Sequence, residues 1–85
     1  MKTIQYVIQS PVGMHARPAG MLVNAAKKFS SSVTVNFNGQ SADARKLFAL
    51  MKLGVKQNDS IALIIDGDDE SEDACELEQT LKSYF

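Results

Sequence analysis

Several residue types that support common functions are scarce in this 85-residue chain. Tryptophan is absent, cysteine and histidine occur once each, and proline occurs twice. Because Cys75 is the only cysteine, an internal disulfide is excluded, and its acidic neighbourhood offers no second thiol or histidine with which to bind a metal. We therefore expect a structural role for Cys75 and no metal site.

Long hydrophobic stretches are also missing. The longest apolar run covers only residues 61–65, whereas a membrane-spanning helix needs about 20 apolar residues. The N-terminal sequence MKTIQYVIQS alternates apolar and polar residues and lacks the apolar centre of a signal peptide. We expect no membrane insertion, no export and a cytoplasmic location.

Charge of either sign is not in excess overall, but the two signs are segregated. The formal net charge is −1, yet eight of the ten acids lie in residues 66–78 and eight of the nine bases lie in residues 2–56. No basic stripe is interleaved with aromatic residues, which argues against a nucleic-acid partner. The basic half could meet an acidic protein surface, or both regions could simply be solvated faces.

Alternating apolar and polar residues predict half-buried strands at residues 4–8 and 33–37. The pair Asn38-Gly39 directly follows the second of these and is typical of a two-residue hairpin turn, so a third strand should pair antiparallel with it. The stretch SIALIID, residues 60–66, is nearly all apolar and predicts a central strand that is buried on both faces.

Three stretches repeat apolar residues at helical spacing. The first begins near Pro18 and predicts about three turns, and the second is a short helix from Lys46 that Gly54 closes. The third is acidic in its first turn, where Asp69 and Glu72 have the spacing of a capping box, and it ends near Lys82. The apolar positions are Ala19, Leu22, Val23, Ala26 and Phe29 in the first helix, Leu47, Leu50, Met51 and Leu53 in the second, and Ala74, Leu77, Leu81 and Phe85 in the third.

The elements therefore follow the order strand, helix, strand, strand, helix, strand, helix. A chain of this length forms one domain, residues 1–85. The order predicts an α+β fold, in which one four-stranded antiparallel sheet has all three helices on one face and leaves the other face in water.

The only histidine, His15, stands directly before the predicted first helix in the sequence GMHARPAG, residues 13–20. Backbone N–H groups at a helix start lack partners within the helix, and the helix dipole adds about half a positive charge there. A phosphoryl group on the imidazole could be held by the amides of Ala16 and Arg17 and by the Arg17 guanidinium. A neutral imidazole is also a suitable nucleophile for phosphorus.

Two features qualify this interpretation of His15. A lone histidine at a helix start is more often a solvated or capping residue than a nucleophile, so the residue types alone leave both readings open. The chain also has no glycine-rich phosphate loop and no acidic cluster near His15 for magnesium. We therefore expect neither a nucleotide site nor a cofactor.

Four motifs together resemble the histidine-containing phosphocarrier protein (HPr) family of the bacterial phosphoenolpyruvate:sugar phosphotransferase system. They occur in order and span essentially the whole chain: GMHARPA (13–19), NG (38–39), LFALMKLGV (47–55) and GDDE (67–70). The resemblance implies an open-faced β-sandwich. It also implies that His15 accepts a phosphoryl group on Nδ1 from phosphorylated enzyme I and passes it to the A domain of a sugar-specific enzyme II.

In that family, Arg17 would stabilise the phosphoryl group, and the chain would be a monomeric carrier with a covalent phosphohistidine intermediate, not a stand-alone catalyst. The resemblance also suggests a partner-docking surface formed by the first two helices. Periodicity supports part of it, because Leu47 and Leu50 cannot both share a face with Phe48 and Met51 on so short a helix, so at least one of Phe48 and Met51 should be exposed. The docking residues are Met14, Gly20, Met21, Lys46, Leu47, Phe48, Met51 and Gly54.

The sequence departs from the family pattern at Lys46. Many members carry a serine here, at the start of the second helix, which a regulatory kinase phosphorylates in some bacteria. Lysine has no hydroxyl group, so regulation of this kind through residue 46 is not expected. Lysine is also a poor N-cap, and Asp43 is the alternative cap. With Arg45, Lys52 and Lys56, Lys46 would form a basic border beside the docking surface.

Two other functions compete with sugar uptake. The chain could be a signalling module read through the phosphorylation state of His15, including a phosphoryl donor for a dihydroxyacetone-kinase or nitrogen-related system. It could also be a binding homologue whose histidine is inert, although the presence of both His15 and Arg17 disfavours this.

Overall fold

Seven elements follow one another in the order that the sequence predicts. The computed structural model describes residues 1–11, 13 and 16–85. Its strands are β1 (Lys2–Val7), β2 (Ser32–Phe37), β3 (Gln40–Asp43) and β4 (Ser60–Asp66), and its helices are α1 (Ala16–Lys28), α2 (Leu47–Lys52) and α3 (Glu70–Tyr84). The fold is an open-faced α+β sandwich, as expected.

The four strands form one antiparallel sheet in the order β1-β4-β2-β3. Strand β4 lies between β1 and β2, so that Leu63 is opposite Ile4 on one side and opposite Val35 on the other. The prediction that β4 is central is therefore confirmed. Its neighbours come from distant parts of the chain, so β4 joins the N-terminal strand to the middle of the sequence.

Burial along β4 alternates, which corrects the prediction of a strand buried on both faces. Leu63 and Ile65 are fully buried on the helix side, whereas Ala62 and Ile64 on the opposite side are only half-buried. The cross-strand neighbours of Ile64 are Thr3 and Thr34, which are polar. An apolar run is compatible with this open face because the two neighbouring strands shield part of each side chain.

A two-residue turn joins β2 to β3, as the Asn38-Gly39 pair predicts. Both turn residues have positive φ, 52° at Asn38 and 81° at Gly39. The residues that flank the turn, Phe37 and Gln40, are paired across the hairpin. This backbone geometry matches the right-handed twist of the strands and sets the β2–β3 register.

Helices α1 and α3 pack against each other and cover the sheet. The Tyr6 hydroxyl on β1 donates a hydrogen bond to the Leu81 carbonyl on α3, with an O–O distance of 3.2 Å. This contact ties the sheet edge to the last helix. The predicted apolar positions of α1 and α3 are all buried: Ala19, Leu22, Val23, Ala26, Phe29, Ala74, Leu77, Leu81 and Phe85.

The start of α3 differs from the predicted capping box. Asp69 is the N-cap residue, but its side chain makes no capping hydrogen bond. Its carboxylate instead accepts a hydrogen bond from the Ser30 hydroxyl at 2.8 Å, and the buried Asp73 carboxylate accepts one from the Ser31 amide at 3.2 Å. The acidic first turn thus fastens the α1–β2 loop to α3.

Two exclusions drawn from the sequence can be compared with the structure. Within residues 1–11, 13 and 16–85, no helix has the length and apolar character needed to cross a membrane. Cys75 is exposed on α3, so it does not contribute to the core and the expected structural role is not supported by burial.

The N-terminal ammonium forms an ion pair with Glu70 at the start of α3. The Met1 nitrogen lies 2.6 Å from Glu70 Oε2, and this hydrogen bond lowers the pKa of Glu70 from its ordinary value of 4.5. A carboxylate with a lowered folded-state pKa stabilises the fold above the unfolded-state pKa, and this stabilisation is lost as the pH falls through the folded-state pKa.

We predict that Glu70→Gln destabilises the protein near neutral pH and that the difference from the wild type shrinks below about pH 4.5. Urea unfolding at a series of pH values measures this. Glu72→Gln is the matched control, since Glu72 shares the first turn of α3 but is not the residue paired with the ammonium. Equal pH dependence in both variants would show that only the helix dipole is involved.

Candidate phosphoryl-acceptor site

The N-terminus of α1 is open to solvent. Ala16 and Arg17 are its first two residues and both are exposed, and Pro18 occupies the first turn, where no backbone N–H is required. The amides of Ala16 and Arg17 have no acceptor within the helix, and the first turn contains no acidic residue. This end of α1 therefore has the positive potential that suits an anion.

Arg17 borders a cavity of about 300 Å³ that is shared between α1 and the end of α3. Sequence reasoning missed the contribution of α3, because Tyr84 lies outside the apolar stripe of that helix and gives no periodic signal. Tyr84 is 46% exposed, so an aromatic ring remains available beside the arginine. The lining residues are Ser10, Arg17, Pro18, Met21, Ser83 and Tyr84.

His15 and Met14 lie outside the described residues. The phosphoryl-accepting role of His15 and the docking role of Met14 therefore stay predictions. The residues on either side of them, Gly13 and Ala16, are described, so the chain entering and leaving this pair is known.

Phe85 holds the chain that leads to His15. Its side chain is buried, and its backbone oxygen accepts hydrogen bonds from the amides of Gln9 at 2.6 Å and Ser10 at 2.8 Å. The end of the chain therefore approaches the residues that precede the site. The sequence predicted the burial of Phe85, because this residue continues the apolar spacing of Leu77 and Leu81, but it did not predict the hydrogen bonds to Gln9 and Ser10.

Helix α2 leaves large apolar side chains in solvent. Phe48 is 76% exposed and Met51 is 38% exposed, while Leu50 is fully buried and Leu47 is half-buried. The expected exposure of at least one of these apolar side chains is confirmed. Met21, 41% exposed, lies on α1, which packs against α2.

The C-terminal end of α2 is as the sequence suggests, whereas at its start Lys46 is the N-cap and the alternative cap, Asp43, is not used. The Lys46 side chain makes no capping hydrogen bond. The Asp43 carboxylate accepts a hydrogen bond from the Arg45 amide at 2.9 Å and so organises the preceding turn. At the other end, the exposed Gly54 has φ of 70° and donates its amide to the Met51 carbonyl. Gly20, the remaining docking residue, is half-buried on α1.

The basic border contains one residue with a structural task. The Arg45 guanidinium donates hydrogen bonds to the carbonyls of Phe29 and Ser31, both at 3.3 Å. Arg45 therefore joins the start of α2 to the α1–β2 loop. The other basic side chains of the border, on Lys46, Lys52 and Lys56, are exposed.

Comparison with known proteins agrees with this geometry. A family model described as the PTS HPr component phosphorylation site matches residues 2–83. The phosphocarrier protein HPr of Mycoplasma pneumoniae is 39% identical over 85 residues, which cover 99% of this chain and 97% of that protein. HPr of Buchnera aphidicola subsp. Baizongia pistaciae is 45% identical over 78 residues, covering 88% and 92%.

Solved structures show the same fold. HPr-C-His from Thermoanaerobacter tengcongensis matches with a TM-score of 0.93 and 36% identity over 100% of this chain and 96% of that one. Crh of Bacillus subtilis, described as a dimer with a swapped domain, matches with a TM-score of 0.77 and 28% identity over 99% and 97%. The chain therefore belongs to the HPr family of phosphocarrier proteins of the phosphotransferase system.

Proposed function

We propose that this chain accepts a phosphoryl group on His15 from phosphorylated enzyme I and passes it to the A domain of a sugar-specific enzyme II in the cytoplasm. The observation that carries the proposal is the solvent-exposed N-terminus of α1. It combines two amides that have no acceptor within α1 with the exposed Arg17, two residues after the histidine of a family phosphorylation motif.

The chemical step requires a nucleophile and charge stabilisation. The lone pair of His15 Nδ1 forms a bond to the phosphorus atom, and the bond between phosphorus and the donor atom breaks with its electron pair returning to the donor. The reverse exchange on the acceptor domain regenerates the free imidazole. Positioning and electrostatics supply most of the catalysis in such a transfer, so a small domain that completes its site on a partner is sufficient.

Arg17 and the helix end stabilise the charge that the phosphoryl group brings. The amides of Ala16 and Arg17 donate to phosphoryl oxygens, and the guanidinium offers a planar pair of donors. Because Arg17 is exposed, its side chain can adapt both to the partner-bound state and to the free phosphorylated state.

The docking surface that we propose includes exposed residues on α1 and α2. Phe48 provides the largest exposed apolar side chain, and Met21 and Met51 can repack against different partners because methionine is flexible. An exposed apolar group on a helix with an exposed lysine at each end, Lys46 and Lys52, fits an acidic protein surface that has an apolar centre.

We predict that His15→Ala abolishes phosphoryl acceptance and that Arg17→Ala slows it about 100-fold, in the range expected for removing a charge-stabilising donor. Labelled phosphoenolpyruvate with enzyme I supplies the group, and intact-mass spectrometry detects an acid-labile adduct. Arg17→Lys should recover only part of the rate, because lysine keeps the charge but loses the planar fork.

Addition of a sugar-specific enzyme II A domain should drain the label from the wild type. Label that drains only to acceptors unrelated to sugar would contradict the proposed pathway. Full acceptance by His15→Ala would contradict the carrier assignment itself.

We predict that Lys46→Gln weakens association with enzyme I about two- to fivefold at low salt, the range typical of an exposed charge, and lowers the salt dependence of affinity. Glutamine is preferable to serine, because serine would also supply the N-cap that α2 lacks. Lys82→Gln on α3 is the matched control outside the basic border. Titration calorimetry at several salt concentrations measures both quantities, and identical behaviour of the two variants would exclude the electrostatic role.

We also predict that the chain is a monomer. Strand β1 is paired with β4 of the same chain through six residues, and the structure matches HPr-C-His with a TM-score of 0.93. A solved HPr dimer from the same organism matches with a TM-score of only 0.76. Sedimentation equilibrium should give a single species of 9.3 kDa. A concentration-dependent mass of twice that value would contradict the prediction.

A further inference from the structure

The β1–α1 connection covers residues 8–15, and its first three residues are tightly held. Its first residue extends the pairing of β1: the Ile8 amide donates to the Asp59 carbonyl at 2.9 Å, and the Asn58 amide donates to the Ile8 carbonyl at 2.7 Å. The Gln57 side-chain amide donates to the Gln9 carbonyl at 3.2 Å. The connection therefore lies alongside the α2–β4 connection, residues 53–59.

The remaining backbone groups of residues 8–10 are bonded as well. The amides of Gln9 and Ser10 donate to Phe85, and the Ser10 carbonyl accepts from the Gly13 amide at 3.1 Å. All six backbone donors and acceptors of residues 8–10 thus have partners within the protein. Residues 8–10 therefore have little freedom to move.

Gly13 packs directly against the backbone of the α2–β4 connection. It is buried, its φ is 62°, and a Cβ atom at this position would lie 2.4 Å from the Val55 carbonyl oxygen and 2.8 Å from the Lys56 Cα. Both of these are backbone atoms and cannot rotate aside. Only glycine fits the space without moving one of the two connections.

The α2–β4 connection is itself well fixed. The Lys56 amide donates to the Asp59 carboxylate at 2.8 Å, and the Asp59 amide donates to the Lys56 carbonyl at 3.1 Å. The Val55 side chain is buried in the core. A side chain at residue 13 therefore cannot be accommodated by a movement of Val55 or Lys56, and residue 13 itself would have to shift.

We propose that Gly13 is a positioning residue for phosphoryl transfer: its contact with the backbone of Val55 and Lys56 sets the path by which the chain brings His15 to the exposed start of α1. This inference rests on the proposed function of His15. Phosphoryl transfer depends on alignment, and a displacement of about 1 Å can lower the rate about 100-fold.

The chain offers a matched pair of variants to test this role. Gly13 and Gly39 both have positive φ, 62° and 81°, so an alanine is disfavoured by the backbone at either position. At Gly39, however, no heavy atom lies within 4 Å of an added Cβ. Gly39→Ala therefore reproduces the backbone cost of Gly13→Ala without the collision, in a turn distant along the chain from His15.

We expect enzyme I to phosphorylate Gly13→Ala with a kcat about 100-fold lower than for the wild type, while its KM for the variant changes less than about threefold. Gly39→Ala should leave kcat unchanged. The ¹⁵N signals of the His15 imidazole should shift in Gly13→Ala and stay unchanged in Gly39→Ala. An unchanged kcat and unchanged imidazole signals in Gly13→Ala would overturn the proposal.

Gln57→Ala decides the question if Gly13→Ala does not fold. Gln57 is exposed, and its replacement removes only the hydrogen bond to Gln9 that holds the two connections together. We expect a reduction of kcat of about two- to fivefold without a change in KM, and an unchanged kcat would overturn the proposal. If the wild type itself accepts no phosphoryl group, the proposed function fails, whereas the imidazole signals still report whether residue 13 positions His15.

Discussion

The register between β1 and β4 is the constraint on which the site depends. Val7 is paired with Ser60, and the ladder continues into the hydrogen bonds between Ile8 and residues 58–59. This pairing brings the start of the β1–α1 connection beside the α2–β4 connection and allows Gly13 to pack on Val55. A shift of one residue would turn the inward side chains of β1 to solvent and would separate the two connections. The same pairing therefore defines both the core and the approach to α1.

The two ends of α3 have different tasks. Its acidic start is used structurally, because Asp69 and Asp73 accept hydrogen bonds from Ser30 and Ser31 in the α1–β2 loop. Its other end lies near the candidate site, where the Phe85 backbone oxygen accepts hydrogen bonds from the amides of Gln9 and Ser10. Two of the acids that dominate the net charge of the C-terminal third thus fasten a loop to α3, whereas most of the basic residues lie on or near the first two helices. The segregation of charge along the sequence follows this division.

The periodicity of apolar residues was sufficient to predict strands and helices where buried and exposed positions alternate regularly along the chain. Residues 4–8 and 33–37 alternate because one face of the sheet is covered and the other is open, and Asn38-Gly39 supplies the φ values that its turn requires. Contacts between residues that are distant in sequence produce no such periodic pattern in the amino-acid sequence. Three features depend on segments that are distant in sequence. They are the open face of the sheet beside Ile64, the hydrogen bond from the Ser30 hydroxyl to the Asp69 carboxylate, and the position of the Tyr84 ring beside Arg17. The acceptor itself, His15, was assigned from a motif and stays a prediction.

Helix α2 shows how the fold accommodates exposed apolar side chains at the expense of local stability. A helix of six residues is too short to be stable alone, and Lys46 gives it neither a side-chain cap nor a favourable charge at its start. It is held instead by the burial of Leu50 and by the turn that Asp43 organises. Because the core requires so few of its side chains, Phe48 can remain in solvent. An element fixed mainly at its ends and on one face can present apolar groups to successive partners, which is what a carrier between two proteins requires.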